Sequence, residues 1–375
     1  MRQAVLDASC QAYEAARWRI PSDFLQRSHF DRVVQNLDWT SSPGYPFLLR
    51  APNNKVLFGT DDQGCVDEAK ASIIWQIVQD RISGKEKAGY IRLFIKPEAH
   101  TAKKLADERY RLISSVNVVD QIVDHMLFGD MNGTCIANWP FIPSKPGWSI
   151  AKGGWRFMPS EVWMATDASA WDWTVRPWLL EMALELRMLL CDNLSEQWST
   201  LATRRYRELF TQPEFVTSGG LVLKQKTPGV MKSGCVNTIS DNSIMQFILH
   251  ARVCLELGLP VTPMFSMGDD RLQVPVRDQK SYVGLTSQFC ILKSVQLKNE
   301  FAGFEFRGSV VDPVHKGKHA FNILHMDDEV AESMANSYVL NYHRSPWRNW
   351  MERLFNGMGI ELIPRTARDV IFDGF

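Results

Sequence analysis

An α+β fold is what this sequence predicts, on three observations. Short segments alternating apolar and polar residues come in pairs with turn residues between them, at 90–113, 215–227 and 264–274, the signature of antiparallel hairpins. Segments with apolar residues at helical spacing stand among them, at 67–83, 177–190, 195–210 and 237–257. The composition is ordinary for a globular chain: 375 residues, 45% apolar and 22% charged, enough for one large core or two to three smaller ones.

Formal net charge is zero, with 42 basic and 42 acidic residues, so no global field draws the chain to a polyanion and any basic groove must come from local clustering. The seven cysteines, Cys10, Cys65, Cys135, Cys191, Cys235, Cys254 and Cys290, are scattered singly. Without C-x2-C pairs and in odd number, they suggest neither a zinc site nor a complete disulfide framework, and a reducing compartment is expected. No apolar run approaches the roughly 18 residues of a membrane span, and Arg2, Asp7, Glu14 and Arg17 interrupt the N-terminal segment where a signal core would be apolar.

Taken in order, residues 1–39 read as one or two helices, with Val5, Leu6, Tyr13 and Ile20 at apolar positions and a break at Pro21. Thr40-Ser41-Ser42-Pro43-Gly44-Tyr45-Pro46-Phe47 is a turn-rich loop that on composition alone is a linker, although its hydroxyls and N–H groups suit a phosphate and the Tyr45 ring a base. Residues 67–83 form an amphipathic helix closed by Ser83-Gly84. Between Lys85 and Arg111 lie eight basic residues (Lys85, Lys87, Arg92, Lys96, Lys103, Lys104, Arg109, Arg111) against four acidic ones. A charge run is usually a solvated face. Here, however, Tyr90–Lys96 and Arg109–Ile113 alternate as strands around a basic loop, so the cations line one side of a β-rich finger that suits a triphosphate. Pro140–Gly154, rich in Pro and Gly, is a long loop.

The candidate chemistry lies in three places. Asp167 stands where an apolar strand runs out, before a helix that begins near Pro177, with Asp172 five residues on. Ser233-Gly234 open the helix 237–257, on which Thr238 and Asn242 share a face, Asn242 a full turn too deep to be a cap. Met264–Val274 sets Gly268-Asp269-Asp270 at the tip of a tight hairpin. A Gly-Asp-Asp triplet alone is common turn composition. Adjacent aspartates diverge in a regular strand, but at a turn one can lean toward a metal held by a third carboxylate, which Asp167 supplies. Two divalent ions about 3.5–4 Å apart, as phosphoryl transfer needs, draw their oxygen ligands from separate segments in this way.

The other segments read as structural. The helix 195–210 carries Arg204, Arg205 and Arg207 on a solvated face, 279–284 is a short helix before a turn at 284–286, and 301–306 alternates as a strand. His315-x3-His319 has metal-like spacing but no third ligand and reads as solvated, and the 13 tryptophans read as core. Neither a G-x4-G-K-S/T loop nor a G-x-S-x-G elbow occurs, which argues against a helicase or a serine hydrolase.

The order Asp167-x4-Asp172, Ser233-Gly234-x3-Thr238-x3-Asn242, Gly268-Asp269-Asp270 resembles motifs A, B and C of the viral RNA-dependent RNA polymerases. The stretch Phe94–His100, Arg109–Val116 and on to Val119–His125 closely resembles motif F and its sequel in the sobemovirus and polerovirus enzymes. Thr40-Ser41 followed by Gly44-Tyr45-Pro46 looks like motif G, Phe301–Phe306 resembles motif E, and Lys293 is taken as the motif D lysine, with Lys298 its competitor. The resemblance spans roughly residues 40–306.

It implies a right-hand polymerase fold: fingers at 1–124, palm at 125–201 and 231–310 as an antiparallel sheet flanked by helices, a fingers insertion at 202–230, and a small helical thumb at 311–375. It implies RNA-templated RNA synthesis in viral genome replication and transcription. Mg2+, or Mn2+ in its place, would be held by Asp167, Asp269 and Asp270, with Lys293 protonating the departing pyrophosphate. Lys96, Arg109 and Arg111 would grip the triphosphate, Asp172, Ser233, Thr238 and Asn242 would bind the nucleotide's ribose end, and Thr40, Ser41, Gly44, Tyr45 and Gly234 would touch the template. The implied partners are RNA template and product, ribonucleoside triphosphates, other viral replication proteins and, in some lineages, a protein primer. The implied setting is the host cytoplasm, with any membrane association made through partners. Such polymerases are typically made within a polyprotein, so Met1 need not be a natural start. Two alternatives stay open: a reverse transcriptase, which would be expected to carry a bulky aromatic in place of Asp172, and a non-catalytic RNA-binding or structural viral protein, which the neutral charge and lack of a basic arm disfavour.

Overall fold

The computed structural model describes residues 1–374, and its architecture follows from one helix buried on all sides. The helix Thr238–Glu256 keeps an unbroken run from Ser240 to Ala251 out of water, as a helix must when it is packed all round. Against it lie the helices Arg2–Ala12, Pro177–Leu189 and Gln279–Thr286 and the strand Met264–Met267. Its buried polar side chains must find partners inside the protein, and several of those partners belong to the site.

A four-stranded sheet covers this helix, in the order Met264–Met267, Asp270–Gln273, Met164–Ser169, Ile291–Leu297, with every neighbouring pair antiparallel. Alternation along the strands turns Met264 and Ser266 toward the helix and Phe265 and Leu272 to the opposite face. There a second core forms from Trp148, Met158, Leu272, Phe301, Phe306, Val311 and Phe372. A separate sheet runs Leu112–Ser115, Ile91–Ile95, Glu214–Thr217, Val222–Lys224, its central pair parallel and its outer pairs antiparallel. Residues from 214–224 thereby join a sheet begun more than a hundred residues earlier in the chain. The C-terminal part adds the small sheet Glu300–Phe301, Phe304–Arg307, Val310–Pro313 and four helices, 316–324, 331–341, 348–357 and 365–373. These helices enclose a core of their own around Tyr338, Tyr342, Met351 and Phe355.

Several expectations are corrected. The strand carrying Asp167 does not end there but continues to Ser169, because its neighbour keeps pairing as far as Ser169 with Ile291. The helix begun at Gln279 passes through the expected turn to Thr286, whose buried hydroxyl donates to the Tyr282 carbonyl at 2.7 Å. Residues 301–306 are not one strand: Ala302 and Gly303, at φ +48° and +81°, fold them into a hairpin. The basic loop contains a short helix, Ala102–Ala106, capped by Thr101.

The arginine face of 195–210 is not uniformly solvated. Arg205 is buried and ion-paired to Asp124 at 2.7 Å and Glu208 at 2.6 Å. Arg204 donates to the carbonyls of Arg81 and Ile82 in the last turn of the helix Glu68–Ser83, where carbonyls run out of i+4 donors. His319 is half-buried, its Nδ1 paired with the Tyr342 hydroxyl at 3.0 Å, so it packs among aromatic rings rather than standing in solvent. Among the described residues no helix is long and apolar enough to cross a membrane.

Candidate active site

The three aspartates meet at one end of the central sheet. Met267 pairs with Asp270 across a two-residue loop in which Gly268 takes φ +64°, a left-handed conformation that glycine supplies at no steric cost. The turn is pinned from below, its Gly268 N–H donating to Ser243 Oγ at 2.9 Å while Ser266 Oγ donates to the Ser243 carbonyl. Thr166 pairs with Arg271 in the adjacent strand, so one step further along the same register Asp167 and Asp270 face the same side.

A β-bulge completes the group. Asp167 pairs with Ser294 but Ala168 with Leu292, which leaves Lys293 as the extra residue. Bulges re-aim side chains, and here Lys293 reaches Asp167, Nζ to Oδ2, at 2.6 Å. The pairing with Asp167 raises the Lys293 pKa above its usual value. Lys298, the competing candidate, is paired with Glu300 instead.

Burial, then the charges of Asp269, Asp167 and Glu300, push the Asp270 carboxyl up to about 6. Its side chain still opens to the cleft, so we take the mutual repulsion of the carboxylates as the stronger cause. Among the described residues no three acidic, histidine or cysteine side chains form a ready-made metal cage, and the Lys293 ammonium occupies one oxygen of Asp167. The donor set nevertheless fits a hard divalent cation. Its oxygens are carboxylate, they come from two chain segments, and their repulsion is what a bound cation would relieve.

Beside the acids lies a polar pair. Asn242 Nδ2 donates to Asp172 Oδ1 at 2.9 Å, and Asn242 Oδ1 accepts from Trp171 Nε1 at 3.0 Å. Burial raises the Asp172 pKa against the opposing effect of the Asn242 hydrogen bond. Asp172, Ser233, Ser114, Leu93, Leu112, Trp173 and Met231 are among the residues lining a chamber of about 250 Å³. The loop before the long helix is fastened to the other sheet, Ser114 N donating to Ser233 Oγ at 3.1 Å and Gly234 N to the Ser114 carbonyl at 3.1 Å. A Cβ on Gly234 would collide with that carbonyl. Thr238 departs from expectation. Its hydroxyl donates back to the carbonyls of Lys232 and Cys235, each at 2.8 Å, so it closes the loop rather than offering a proton to a ligand.

The basic finger is a hairpin, with Lys96 N bonded to the Arg111 carbonyl just beyond the paired strands. Lys96 and Arg111 both approach Glu98, at 3.0 and 3.9 Å. Arg111 is also close enough to Asp172 to act on its charge. Arg109 is exposed in the connecting segment. In the 40–47 loop, the Thr40 and Ser41 hydroxyls both donate to Asp38, at 2.7 and 2.6 Å, so their protons are spent within the loop. Tyr45 stands half-buried with its ring 6.2 Å from that of Tyr90, and Gly44, at φ +72°, lies so close to the Asn117 backbone that a side chain would not fit.

A family model described as viral RNA-dependent RNA polymerase matches residues 26–306. The chain belongs to that polymerase family. It is 36% identical over 280 residues to the replicase polyprotein P2AB of Southern cowpea mosaic virus, covering 68% of this chain and 28% of that polyprotein. It is 28% identical over 375 aligned positions to protein P1-P2 of a Scottish strain of Potato leafroll virus, covering 86% of this chain and 33% of the relative. With the RNA-directed RNA polymerase of Mushroom bacilliform virus it shares 29% identity over 317 residues, 78% of this chain and 76% of the relative. The chain therefore spans about a third or less of the length of the first two. The Sicinivirus 3Dpol RNA dependent RNA polymerase superposes with a TM-score of 0.77 at 17% identity, over 99% of this chain and 86% of that one. The fold is the right-hand fold of viral polymerases.

In this family member, sequence reasoning missed the frame behind the site. Arg187 and Asp241, both fully buried, pair at 2.8 Å, and the Tyr206 hydroxyl donates to the same carboxylate at 2.7 Å. This anchors the turn of helix that carries Asn242. A single arginine among the mostly apolar residues of the helix Pro177–Leu189 was the available signal, since a buried guanidinium needs a buried acid. Lys232 and Lys145 are buried with their ammonium groups held by backbone carbonyls rather than, among the described residues, by an ion-paired carboxylate, and nothing in sequence spacing marks them.

Proposed function

We propose that the chain catalyses RNA-templated RNA synthesis in viral genome replication and transcription. The observation that carries this reading is the meeting of Asp167, Asp269, Asp270 and the bulge-directed Lys293 beside the Asp172–Asn242 pair, within the fold of the family. In the reaction the 3′-hydroxyl oxygen of the growing RNA forms a bond to the α-phosphorus of a ribonucleoside triphosphate, the bond to the β-phosphate breaks, and pyrophosphate departs.

Asp167 and Asp269, supported by Asp270, would hold Mg2+, with Mn2+ as a substitute. When bound, such ions would lower the pKa of the attacking hydroxyl and offset the leaving charge. Lys293, kept protonated by Asp167, would give a proton to the departing pyrophosphate. Lys96, Arg109 and Arg111 grip the phosphates, the guanidinium fork suiting bidentate contact. Asp172, Asn242 and Ser233 select the ribose, and Thr238 supports them through the loop. Template contact falls to the Tyr45 ring and to the backbone of Thr40, Ser41, Gly44 and Gly234, since the Thr40 and Ser41 hydroxyls are bonded to Asp38.

In this reading residues 1–124 and 202–230 are fingers, 125–201 and 231–310 palm, and 311–375 thumb. RNA, ribonucleotides, other viral replication proteins and, where initiation requires it, a protein primer are the partners, in the host cytoplasm. Incorporation of labelled nucleotide on an added RNA template, with Asp269→Asn as control, tests the proposal. Activity only with deoxynucleotides would favour a reverse transcriptase, and activity unaffected by Asp269→Asn would remove the assigned site.

A further inference from the structure

The Asn242 side chain has a hazard that every amide shares. Rotated by a half-turn it keeps its shape but exchanges donor for acceptor, and a pocket that reads a hydroxyl with the wrong end would read it poorly. Two contacts decide its orientation here. Asp172 Oδ1 accepts from Nδ2 at 2.9 Å, and the Trp171 indole N–H donates to Oδ1 at 3.0 Å. Reversing the amide would set a carbonyl oxygen against a carboxylate and an NH2 against an indole N–H, so both contacts oppose it. They are not equivalent. A carboxyl can accept or donate according to its protonation, and burial pushes Asp172 toward its protonated form. An indole N–H can only donate.

The chain is bent to make this contact. Ala170, at φ +52°, occupies a left-handed conformation that costs a non-glycine residue energy. The turn sends Trp171, 2% exposed, into the main core while Asp172 beside it opens on the chamber. A Phe or Leu would fill the core position without donating, whereas the indole fills it and also donates to Asn242.

We infer that Trp171 is a positioning residue for sugar selection, its indole N–H locking the Asn242 amide with NH2 toward Asp172. The inference rests on the reading of Asp172 and Asn242 as the ribose-recognising pair. The indole N–H is bonded to Asn242 Oδ1, so losing it acts on selectivity through Asn242.

The test measures kcat/KM for GTP and dGTP on one RNA template in the wild type, Trp171→Phe, Asn242→Ala and the double variant. Trp171→Phe lowers the ribo-to-deoxyribo ratio by about 5- to 30-fold, the leverage of one buried hydrogen bond on an equilibrium. The loss falls on GTP, and in the Asn242→Ala background the same change leaves the ratio where Asn242→Ala alone sets it. If Trp171→Phe does not fold, incorporating 3-benzothienylalanine at position 171, which keeps the ring shape and replaces only the N–H by sulfur, gives the same comparison. Equal losses for GTP and dGTP, or an effect that adds to that of Asn242→Ala, overturn the inference while leaving the pocket reading intact. An Asn242→Ala variant with an unchanged ratio overturns both.

Discussion

Replacing Asp270 by asparagine tests the crowding of negative charge at the hairpin tip. The Asp270 carboxyl is pushed from 3.8 to about 6, by burial and then by Asp269, Asp167 and Glu300. Two units correspond to about 3 kcal/mol. Because the side chain is more than a third exposed, solvent screening reduces this to about 1 kcal/mol. The folded-state value is the higher one, so the folded protein binds this proton more tightly than the unfolded chain. From this group, stability is fully present below about pH 4, falls as pH rises toward 6, and stays low above it. In chelator at about pH 7.5, where the carboxylate is ionised, Asp270→Asn therefore raises Tm by about 1–3 °C. The gain shrinks to about half by pH 5. The same variant loses nucleotide addition by about 10-fold or more, because a charge that supports the ions is gone. Thermal melts with and without chelator, beside an incorporation assay, give both readings. A Tm that is unchanged or lower in chelator at neutral pH would refute the picture of mutually repelling carboxylates awaiting a cation.

Lys293→Leu slows the chemical step by about 10²–10⁴-fold in single-turnover quench experiments, whereas Lys298→Leu, which removes only the partner of Glu300, leaves it within about 2-fold; the reverse order would move the proton donor to Lys298. Arg111→Ala raises KM for nucleotide and lowers kcat, since the lost fork meets charge that grows in the transition state, and unchanged steady-state kinetics would return this cation to the solvated face. Arg187→Met strands the fully buried Asp241 and lowers unfolding stability by about 3–5 kcal/mol, read as a shift in denaturant midpoint. A midpoint equal to wild type would show that Tyr206 alone satisfies the carboxylate.

The elements that sequence reveals here are those written in local patterns. The hairpin around Gly268 follows from turn chemistry, the helix Thr238–Glu256 from apolar spacing, and the shared face of Thr238 and Asn242 from helical geometry. What escapes is whatever depends on register between distant strands or on the fate of a single proton. No spacing rule shows that Lys293 is the residue skipped opposite Asp167 and Ala168, although the skip is what turns it into the cleft. Likewise the Thr238 hydroxyl lies on the expected helix face yet is bonded to two carbonyls of its own loop. The Ser-Thr composition of the 40–47 loop suits a phosphate equally well whether or not Asp38 holds those hydroxyls. Trp171 and Arg187 look like core filler and a stray charge until Asn242 and Asp241 are seen beside them.

The most direct test of the central claim is addition of a single nucleotide to an RNA primer annealed to RNA templates that differ only in the next unpaired base, run with wild type and with Asp167→Asn. RNA affinity is measured on the same complexes. The wild type should add only the ribonucleotide complementary to that base, and Asp167→Asn should bind the duplex with nearly the same affinity but add nothing, because it loses a ligand charge and no template contact. Addition that ignores the template base, or Asp167→Asn that extends the primer at the wild-type rate, would contradict the account.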